Sequence, residues 1–223
     1  MSEPRRAARR SRLSLAVAGV AVTLLSGCAG DPALSSVPQP PEAPRTYTGT
    51  VVEPPVPLPA VMLTGADDRP FDLQADTRAP VTLVTFVYTN CPDECPLTVS
   101  TITVALGALA PELRRSIDVV VVSADPVRDT PAVLRAWLDR FDPAYRGVTG
   151  DPAVIDKVAV DLFVPADVPG SAPGADPVDV SHGVQIFAFG ADEQSLMLWG
   201  SNPTPSELAA DLRQLVEQQQ SRS

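Results

Sequence analysis

The stretch of sequence that decides the fold is residues 81–95, which read VTLVTFVYTNCPDEC. Its first eight residues are apolar, β-branched or aromatic almost without a break, and such a run is typical of a strand buried on both faces of a sheet. Two cysteines, Cys91 and Cys95, follow where that strand gives way to the next helix. We therefore expect a central strand that leads to a pair of thiols at the edge of a sheet.

The segments around this strand predict an α/β domain. Apolar residues recur at helical spacing over residues 96–113, and residues 117–122 form a second solid apolar strand, which completes a β-α-β unit. Thr130 followed by Pro131 indicates the start of another helix, because proline is favoured in the first helical turn. The sequence also predicts a hairpin formed by residues 61–63 and 71–73 and a short helix over residues 152–162.

The end of the chain distinguishes between two α/β folds. Residues 184–189 and 195–199 predict two strands joined by a tight turn, and residues 204–217 predict a closing helix. A flavodoxin-like topology would instead need parallel strands separated by helices at this point. The antiparallel hairpin favours a thioredoxin-like fold, with a mixed central sheet and helices on both faces.

The first 27 residues indicate an export signal. Five arginines precede an apolar stretch, residues 13–25, that is shorter than the roughly 20 residues needed to span a bilayer. The stretch ends in LSGC at residues 25–28, which resembles the bacterial lipobox, so we expect cleavage before Cys28 and attachment of a lipid to it. An uncleaved anchor and an ordinary signal with a chance cysteine are the alternatives, and the export route, general or twin-arginine, stays open.

Residues 28–57 are rich in proline and poor in large apolar side chains, which predicts an extended tether from the lipidated Cys28. Residues 58–223 then form the folded domain. This organisation predicts an exported lipoprotein on the outer face of the cytoplasmic membrane, held there by its lipid anchor.

Charge and cysteine content limit the classes of function. The whole chain has a net charge of −10, and removal of residues 1–27 leaves 12 Lys and Arg against 26 Asp and Glu, a net charge of about −14. Such an acidic domain has no long-range attraction for nucleic acid, which excludes that class of partner. After lipidation of Cys28, only Cys91 and Cys95 remain, and they can pair with each other or share a metal.

The CPDEC segment predicts reactive thiols. If it winds as a helix, the spacing of four places both sulfurs on one face, one turn apart. A helix N-terminus favours the thiolate form, whereas the charges of Asp93 and Glu94 oppose it. A structural disulfide is the alternative, although so small a loop gains little stabilisation from closure.

His182 is the single histidine of the chain, at the junction between a proline- and glycine-rich loop and a predicted strand. A lone histidine is more often a surface or core residue than a metal ligand. Together with Cys91 and Cys95 it would nevertheless make a set of two thiolates and one imidazole, which suits Cu(I) and extends to Cu(II). Zinc accepts the same atoms but ordinarily requires a fourth protein ligand in a structural site.

Five segments of the chain resemble the Sco/SenC family of copper-handling proteins, which help to build the binuclear copper centre of cytochrome c oxidase. They occur in the family's order over about residues 60–217: FVYTNCPDECP at 86–96, SADPVRDTP at 123–131, FD at 141–142 with GVTG at 147–150, VSHG at 180–183 and TPSEL at 204–208. One departure is Ser181, where the family usually carries aspartate. The proline-rich stretch before it also looks shorter than in the family.

The resemblance implies copper ligands at Cys91, Cys95 and His182, with Asp93 and Asp125 in supporting positions. It implies a copper metallochaperone, without enzyme activity in the strict sense, that delivers copper to the copper-bearing subunit of cytochrome c oxidase.

The alternative function is a thiol-disulfide oxidoreductase in which Cys91 and Cys95 are the catalytic redox pair that keeps the oxidase's copper-ligand cysteines reduced. Other copper chaperones or thiol reductants are further expected partners. A redox or copper sensor is a third class, and it has no signature in the sequence.

Overall fold

A computed structural model of the chain describes residues 46–166, 168, 183–200 and 203–222. Eight strands and five helices lie in the described residues. In chain order they are β1 (Thr50–Val51), β2 (Met62–Gly65), β3 (Pro70–Asp72), β4 (Val81–Val87), α1 (Glu94–Gly107), α2 (Pro111–Arg114), β5 (Ile117–Ser123), α3 (Pro131–Leu138), β6 (Arg146–Thr149), α4 (Pro152–Asp161), β7 (Ile186–Gly190), β8 (Ser195–Trp199) and α5 (Pro205–Arg222).

The eight strands form one mixed sheet in the order β1-β8-β7-β4-β5-β6-β2-β3. The β4, β5 and β6 strands are parallel, whereas β7 pairs antiparallel with β4 and β8 pairs antiparallel with β7. The β-α-β unit and the closing antiparallel hairpin confirm the thioredoxin-like fold. A flavodoxin-like topology is excluded because β7 and β8 are consecutive antiparallel strands without a helix between them.

The β4 strand is the central strand that residues 81–88 predicted. All seven of its residues are buried, because a hydrophobic core covers each face of the sheet. One core contains buried residues of α1, α3 and α5, and the other contains residues of α4 together with Leu58 and Leu73. Helices therefore cover both faces of the sheet, as the sequence predicted.

The helix after β4 differs from its predicted bounds. It begins at Glu94 rather than Pro96, so Cys95 lies in the first turn and Pro96 is the third helical residue. Proline is tolerated there because the first N–H groups of a helix have no acceptor within the helix. The predicted continuation to residue 113 is wrong: α1 ends at Gly107, and Pro111 begins a separate short helix.

Other predicted elements are confirmed with shifts of a few residues at their ends. The strand predicted at residues 184–189 is β7 at Ile186–Gly190, and the last helix extends to Arg222 instead of residue 217. The Thr130 side chain accepts a hydrogen bond from the Val133 N–H at 3.4 Å, which caps α3 as the Thr-Pro pair predicted. The short strands β1 and β6 have no counterpart among the predicted strands.

Residues 46–57, whose proline-rich composition predicted part of the tether, run along the outer edge of the sheet beside β8. Thr50 and Val51 pair with β8, and the N–H of Val56 donates to the Ser195 hydroxyl at 2.7 Å. The backbone at Gly49 passes so close to the sheet that a Cβ added there would lie 2.6 Å from the sulfur of Met197. These pairings depend on a distant strand, which is why composition alone indicated a tether here.

A buried carboxylate on α5 fixes this N-terminal segment. Asp211 is 1% exposed and accepts the N–H groups of Thr48 and Gly49 at 3.0 and 2.9 Å. The same carboxylate accepts the indole N–H of Trp199 at 2.9 Å. One side chain therefore joins α5, β8 and the segment before β1.

We predict that Asp211→Ala lowers the free energy of unfolding by about 3 kcal/mol, because three donors lose a charged acceptor. Urea unfolding followed by circular dichroism measures this difference. Glu217→Ala, at an exposed acid on the same helix, is the matched control and should change stability by less than about 0.5 kcal/mol. Equal effects of the two substitutions would contradict the structural role of Asp211.

Candidate metal centre

The two cysteines lie where β4 ends and α1 begins. After the strand, the chain makes a tight turn in which the Cys91 N–H donates to the Tyr88 carbonyl at 3.1 Å. The helix then starts within three residues, so Cys95 is held in its first turn. The local sequence favours this connection: Pro92 suits the tight turn before the helix, and Pro96 suits the first turn of the helix itself.

The two cysteine side chains are adjacent. The Cys95 N–H donates to the Cys91 sulfur at 3.4 Å, and no disulfide joins the two sulfurs in this structure. Cys95 is fully buried, whereas Cys91 is partly exposed at the surface. The two sulfurs are adjacent, but Cys91 precedes α1, so a turn and the N–H to sulfur hydrogen bond bring them together rather than the predicted helical winding of the whole segment. Cys91 is the sulfur that a metal or another protein can approach.

The pKa values of the two thiols move in opposite directions. Partial burial acts to raise the pKa of Cys91, but hydrogen bonds from the Cys95 N–H and thiol outweigh it and lower the pKa below its ordinary value. Hydrogen bonds from the Asp93 backbone and the Tyr88 side chain contribute to this lowering. Cys91 thus has the larger thiolate fraction at neutral pH.

Burial raises the pKa of Cys95 far above its ordinary value, and the Cys91 sulfur raises it further by hydrogen bonding and by charge. The nearby charge of Asp129 acts in the same direction, and a backbone hydrogen bond from Tyr88 opposes it. Cys95 is therefore a neutral thiol until a cation or a second reaction partner takes the place of its proton. The pair combines a nucleophilic outer sulfur with a protonated inner one.

A buried carboxylate beneath the cysteine loop is a residue that sequence reasoning missed. Asp129 is 0% exposed and accepts the N–H and the hydroxyl of Thr89 at 3.0 and 2.6 Å. It also accepts the Ser123 hydroxyl at 2.7 Å. Burial raises the pKa of Asp129, the bonds from Thr89 and Ser123 lower it, and the charge of Asp125 raises it, with a net upward shift. Its position in the SADPVRDTP segment was the available signal.

The two acids predicted to support the site occupy different environments. Asp125 is fully buried, and its carboxylate forms an ion pair with Arg128, while its N–H donates to the Ser123 hydroxyl at 3.1 Å. Asp93 is exposed at the residue before α1, and its side chain does not cap that helix. Its backbone, rather than its carboxylate, contacts the Cys91 sulfur.

His182 and Cys28 lie outside the described residues, so their predicted roles as a copper ligand and a lipidation site remain predictions. Among the residues that the structure describes, no group of three or more His, Cys, Asp or Glu side chains is arranged to hold a metal ion. Gly183, which follows His182 in the sequence, is described, and its N–H donates to the Pro165 carbonyl at 2.7 Å. No helix in the described ranges has the length and apolar character to cross a bilayer.

After the gap in the described residues, the chain re-enters the sheet beside the last residues of β4, the strand that precedes the cysteine loop. The carbonyl of Gln185 accepts the Thr85 hydroxyl at 2.9 Å, and Ile186 pairs with Thr85, two residues before β4 ends at Val87. Residues 183–185 thus approach the same edge of the sheet at which β4 ends.

The fold and the site together define a thioredoxin-like domain that carries a CxxxC dithiol at the start of its first main helix. The family model described as SCO1/SenC matches residues 62–217. The chain belongs to the SCO1/SenC family.

Three known proteins illustrate the relationship. The SenC protein of Rhodobacter capsulatus is 33% identical over 154 residues, which cover 64% of this chain and 66% of that protein. The copper-bound structure of ScoI from Bradyrhizobium japonicum is 30% identical, with a TM-score of 0.58, and covers 75% of this chain and 98% of that one. BsSco shares the fold at 18% identity, with a TM-score of 0.56, over 77% of this chain and 98% of that one. It is described as a member of the Sco family of cytochrome c oxidase assembly proteins, and a disulfide switch has been identified in it. Matches to the first curated relatives span 46 to 66% of the lengths of those proteins.

We predict that iodoacetamide alkylates Cys91 at least about tenfold faster than Cys95 at pH 7, because Cys91 is accessible and richer in thiolate. The rate at Cys91 should reach half of its maximum below the pH of about 8.5 expected for an ordinary thiol. Tandem mass spectrometry of the reduced protein locates the alkylated sulfur. Faster alkylation of Cys95, or equal rates, would contradict the assignment of Cys91 as the outer thiol.

Proposed function

We propose that this protein is a copper metallochaperone, which takes up copper through Cys91, Cys95 and His182 and delivers it to the oxidase subunit that carries the binuclear copper site. The observation that supports this proposal most directly is the adjacent pair of thiols at the start of α1. Membership of the SCO1/SenC family supports it independently. Copper is the cargo of this reaction.

The chemistry of the two sulfurs fits a soft metal ion. Thiolates prefer Cu(I), and the partly exposed Cys91 is the sulfur that an incoming ion meets first. Coordination then displaces the proton of the buried Cys95, since metal ligands bind in their deprotonated form. Copper uptake should therefore release protons and become stronger as pH rises.

His182 completes the proposed ligand set. An imidazole extends a pair of thiolates to Cu(II), which a purely sulfur site binds less well. Residues 183–185, which follow it, approach the edge of the sheet where the cysteine loop begins. That position of the chain supports the assignment, as does the resemblance of residues 180–183 to the family's ligand segment.

A lipid on Cys28 would hold the protein on the outer face of the cytoplasmic membrane, where a membrane-embedded oxidase presents its copper subunit. The export signal and the lipobox of residues 25–28 support this location. Metabolic labelling with a radioactive fatty acid tests it: label should enter the wild type and be absent from Cys28→Ala.

Copper binding tests the central proposal. One equivalent of Cu(II) added to the reduced protein without oxygen should give thiolate-to-copper charge-transfer absorption and a single spin-resonance signal. Cys91→Ser, Cys95→Ser and His182→Ala should each lose the wild-type spectrum, because each removes one ligand. Asp118→Asn is the control for copper held by surface carboxylates, since Asp118 lies near the start of β5, away from the cysteines, and it should retain the spectrum.

Thiol-disulfide exchange is a second candidate function, and the opposite pKa directions of the two cysteines favour it. The Cys91 thiolate would attack a disulfide in the partner and release one partner thiolate. Cys95 would then lose its proton and attack the Cys91 sulfur of the mixed disulfide, which releases the second partner thiolate and leaves a Cys91–Cys95 disulfide. A separate thiol reductant must supply two electrons to restore the dithiol.

His182→Ala separates the two activities. Exchange requires only the cysteines, so this substitution should leave the rate of reduction of a disulfide-bonded peptide within about twofold of wild type while Cu(II) affinity falls at least about tenfold. Cys91→Ser should abolish both. Loss of exchange in His182→Ala to the same degree as copper binding would contradict this division of roles.

A further inference from the structure

The Asp129 carboxylate is buried, and among the described residues the groups that donate hydrogen bonds to it are uncharged. They are the N–H and hydroxyl of Thr89 and the hydroxyl of Ser123. Burying a carboxylate with only neutral donors has a desolvation cost that such bonds offset incompletely. Asp129 differs from the buried Asp211 in its position, because it accepts two hydrogen bonds from Thr89, in the loop that carries Cys91.

The three bonds connect the ends of two neighbouring strands. Thr89 is the second residue after β4 and lies two residues before Cys91, whereas Ser123 is the last residue of β5. Since β4 and β5 are paired in parallel, both ends lie at the same edge of the sheet. Asp129 therefore joins the cysteine loop to the strand beside it.

The loop that carries Asp129 is itself fixed. Its N–H donates to the Asp125 carbonyl at 2.8 Å, and the Asp125 N–H donates to the Ser123 hydroxyl at 3.1 Å. The Ala124 N–H also donates to the carbonyl of Val87, the last residue of β4. These bonds fix the Asp129 loop without involving Thr89. The carboxylate can therefore act as a rigid anchor for Thr89.

Anchoring Thr89 restricts Cys91. The turn between them is closed by the hydrogen bond from the Cys91 N–H to the Tyr88 carbonyl, so a fixed Thr89 leaves the Cys91 backbone little freedom. A ligand that is already ordered loses less conformational entropy when it captures a metal ion, which increases affinity.

We infer that Asp129 is a positioning residue of the copper site: by anchoring Thr89 to β5, it holds Cys91 in its ligand position before copper arrives. This inference rests on the proposed copper-binding function. It concerns hydrogen bonding and not the negative charge of Asp129. Asparagine can preserve the bonds, because its carbonyl oxygen can accept from the Thr89 N–H and the Ser123 hydroxyl while its amide donates to the Thr89 hydroxyl.

The test compares Asp129→Ala with Asp129→Asn by two measurements on the full chain. In Asp129→Ala, Cu(II) affinity should fall about 10- to 100-fold, and amide hydrogen exchange at Cys91 in the copper-free protein should accelerate about tenfold or more. In Asp129→Asn, both quantities should stay within about threefold of wild type, since the anchor is retained.

Asp211→Ala is the matched control, because it also removes a buried carboxylate that accepts three hydrogen bonds, and its donors lie in β8 and in the segment before β1 rather than in the cysteine loop. It should reduce stability and leave Cu(II) affinity and exchange at Cys91 unchanged. If Asp129→Ala fails to fold, Thr89→Val decides, since it removes only the hydroxyl bond at a partly exposed position. Cu(II) affinity should then fall about threefold to tenfold.

Wild-type values of both measurements in Asp129→Ala, or in Thr89→Val where that variant decides, would overturn the inference. An effect of Asp129→Asn as large as that of Asp129→Ala would also overturn it, because charge would then be the cause. Failure of the wild-type protein to bind copper would refute the proposed function alone. In that case the exchange rates at Cys91 would still show whether the anchor exists.

Discussion

The parallel pairing of β4 with β5 is the constraint on which the site depends. Residues 81–87 and 117–123 pair in register along their whole length, and nearly all of their side chains are buried. Because parallel strands end at the same edge, the loops that follow them are forced together. The cysteine loop after β4 and the acidic loop after β5 are neighbours for this reason, although about 30 residues separate them in sequence.

Burial divides the chemistry between two cysteines of identical type. Cys91 lies at the surface end of a turn and receives hydrogen bonds that favour its thiolate, whereas Cys95 enters the core with the first turn of α1. The same asymmetry suits both of the proposed uses, copper capture and attack on a disulfide, since both would begin at an accessible thiolate. Copper handling and thiol exchange are therefore compatible uses of one dithiol.

Sequence reasoning succeeded where the signal is local. The unbroken apolar run at residues 81–88, the Thr130-Pro131 helix start and the closing hairpin each predicted an element that the structure contains. It failed where a segment gains its structure from a distant partner. Residues 50–51 form a strand only because β8 offers an edge, and the segment before them is fixed by Asp211, about 160 residues later.

By itself, the sequence determined the thioredoxin-like order of elements and the position of Cys91 and Cys95 at the end of the central strand, because hydrophobic periodicity and turn residues act over short stretches of chain. Only the tertiary structure decided which cysteine is exposed and that the carboxylate of Asp129, rather than that of Asp93 or Asp125, accepts hydrogen bonds from Thr89 in the cysteine loop. Burial and hydrogen-bond partners depend on which strands become neighbours, and that arrangement is a property of the folded chain as a whole.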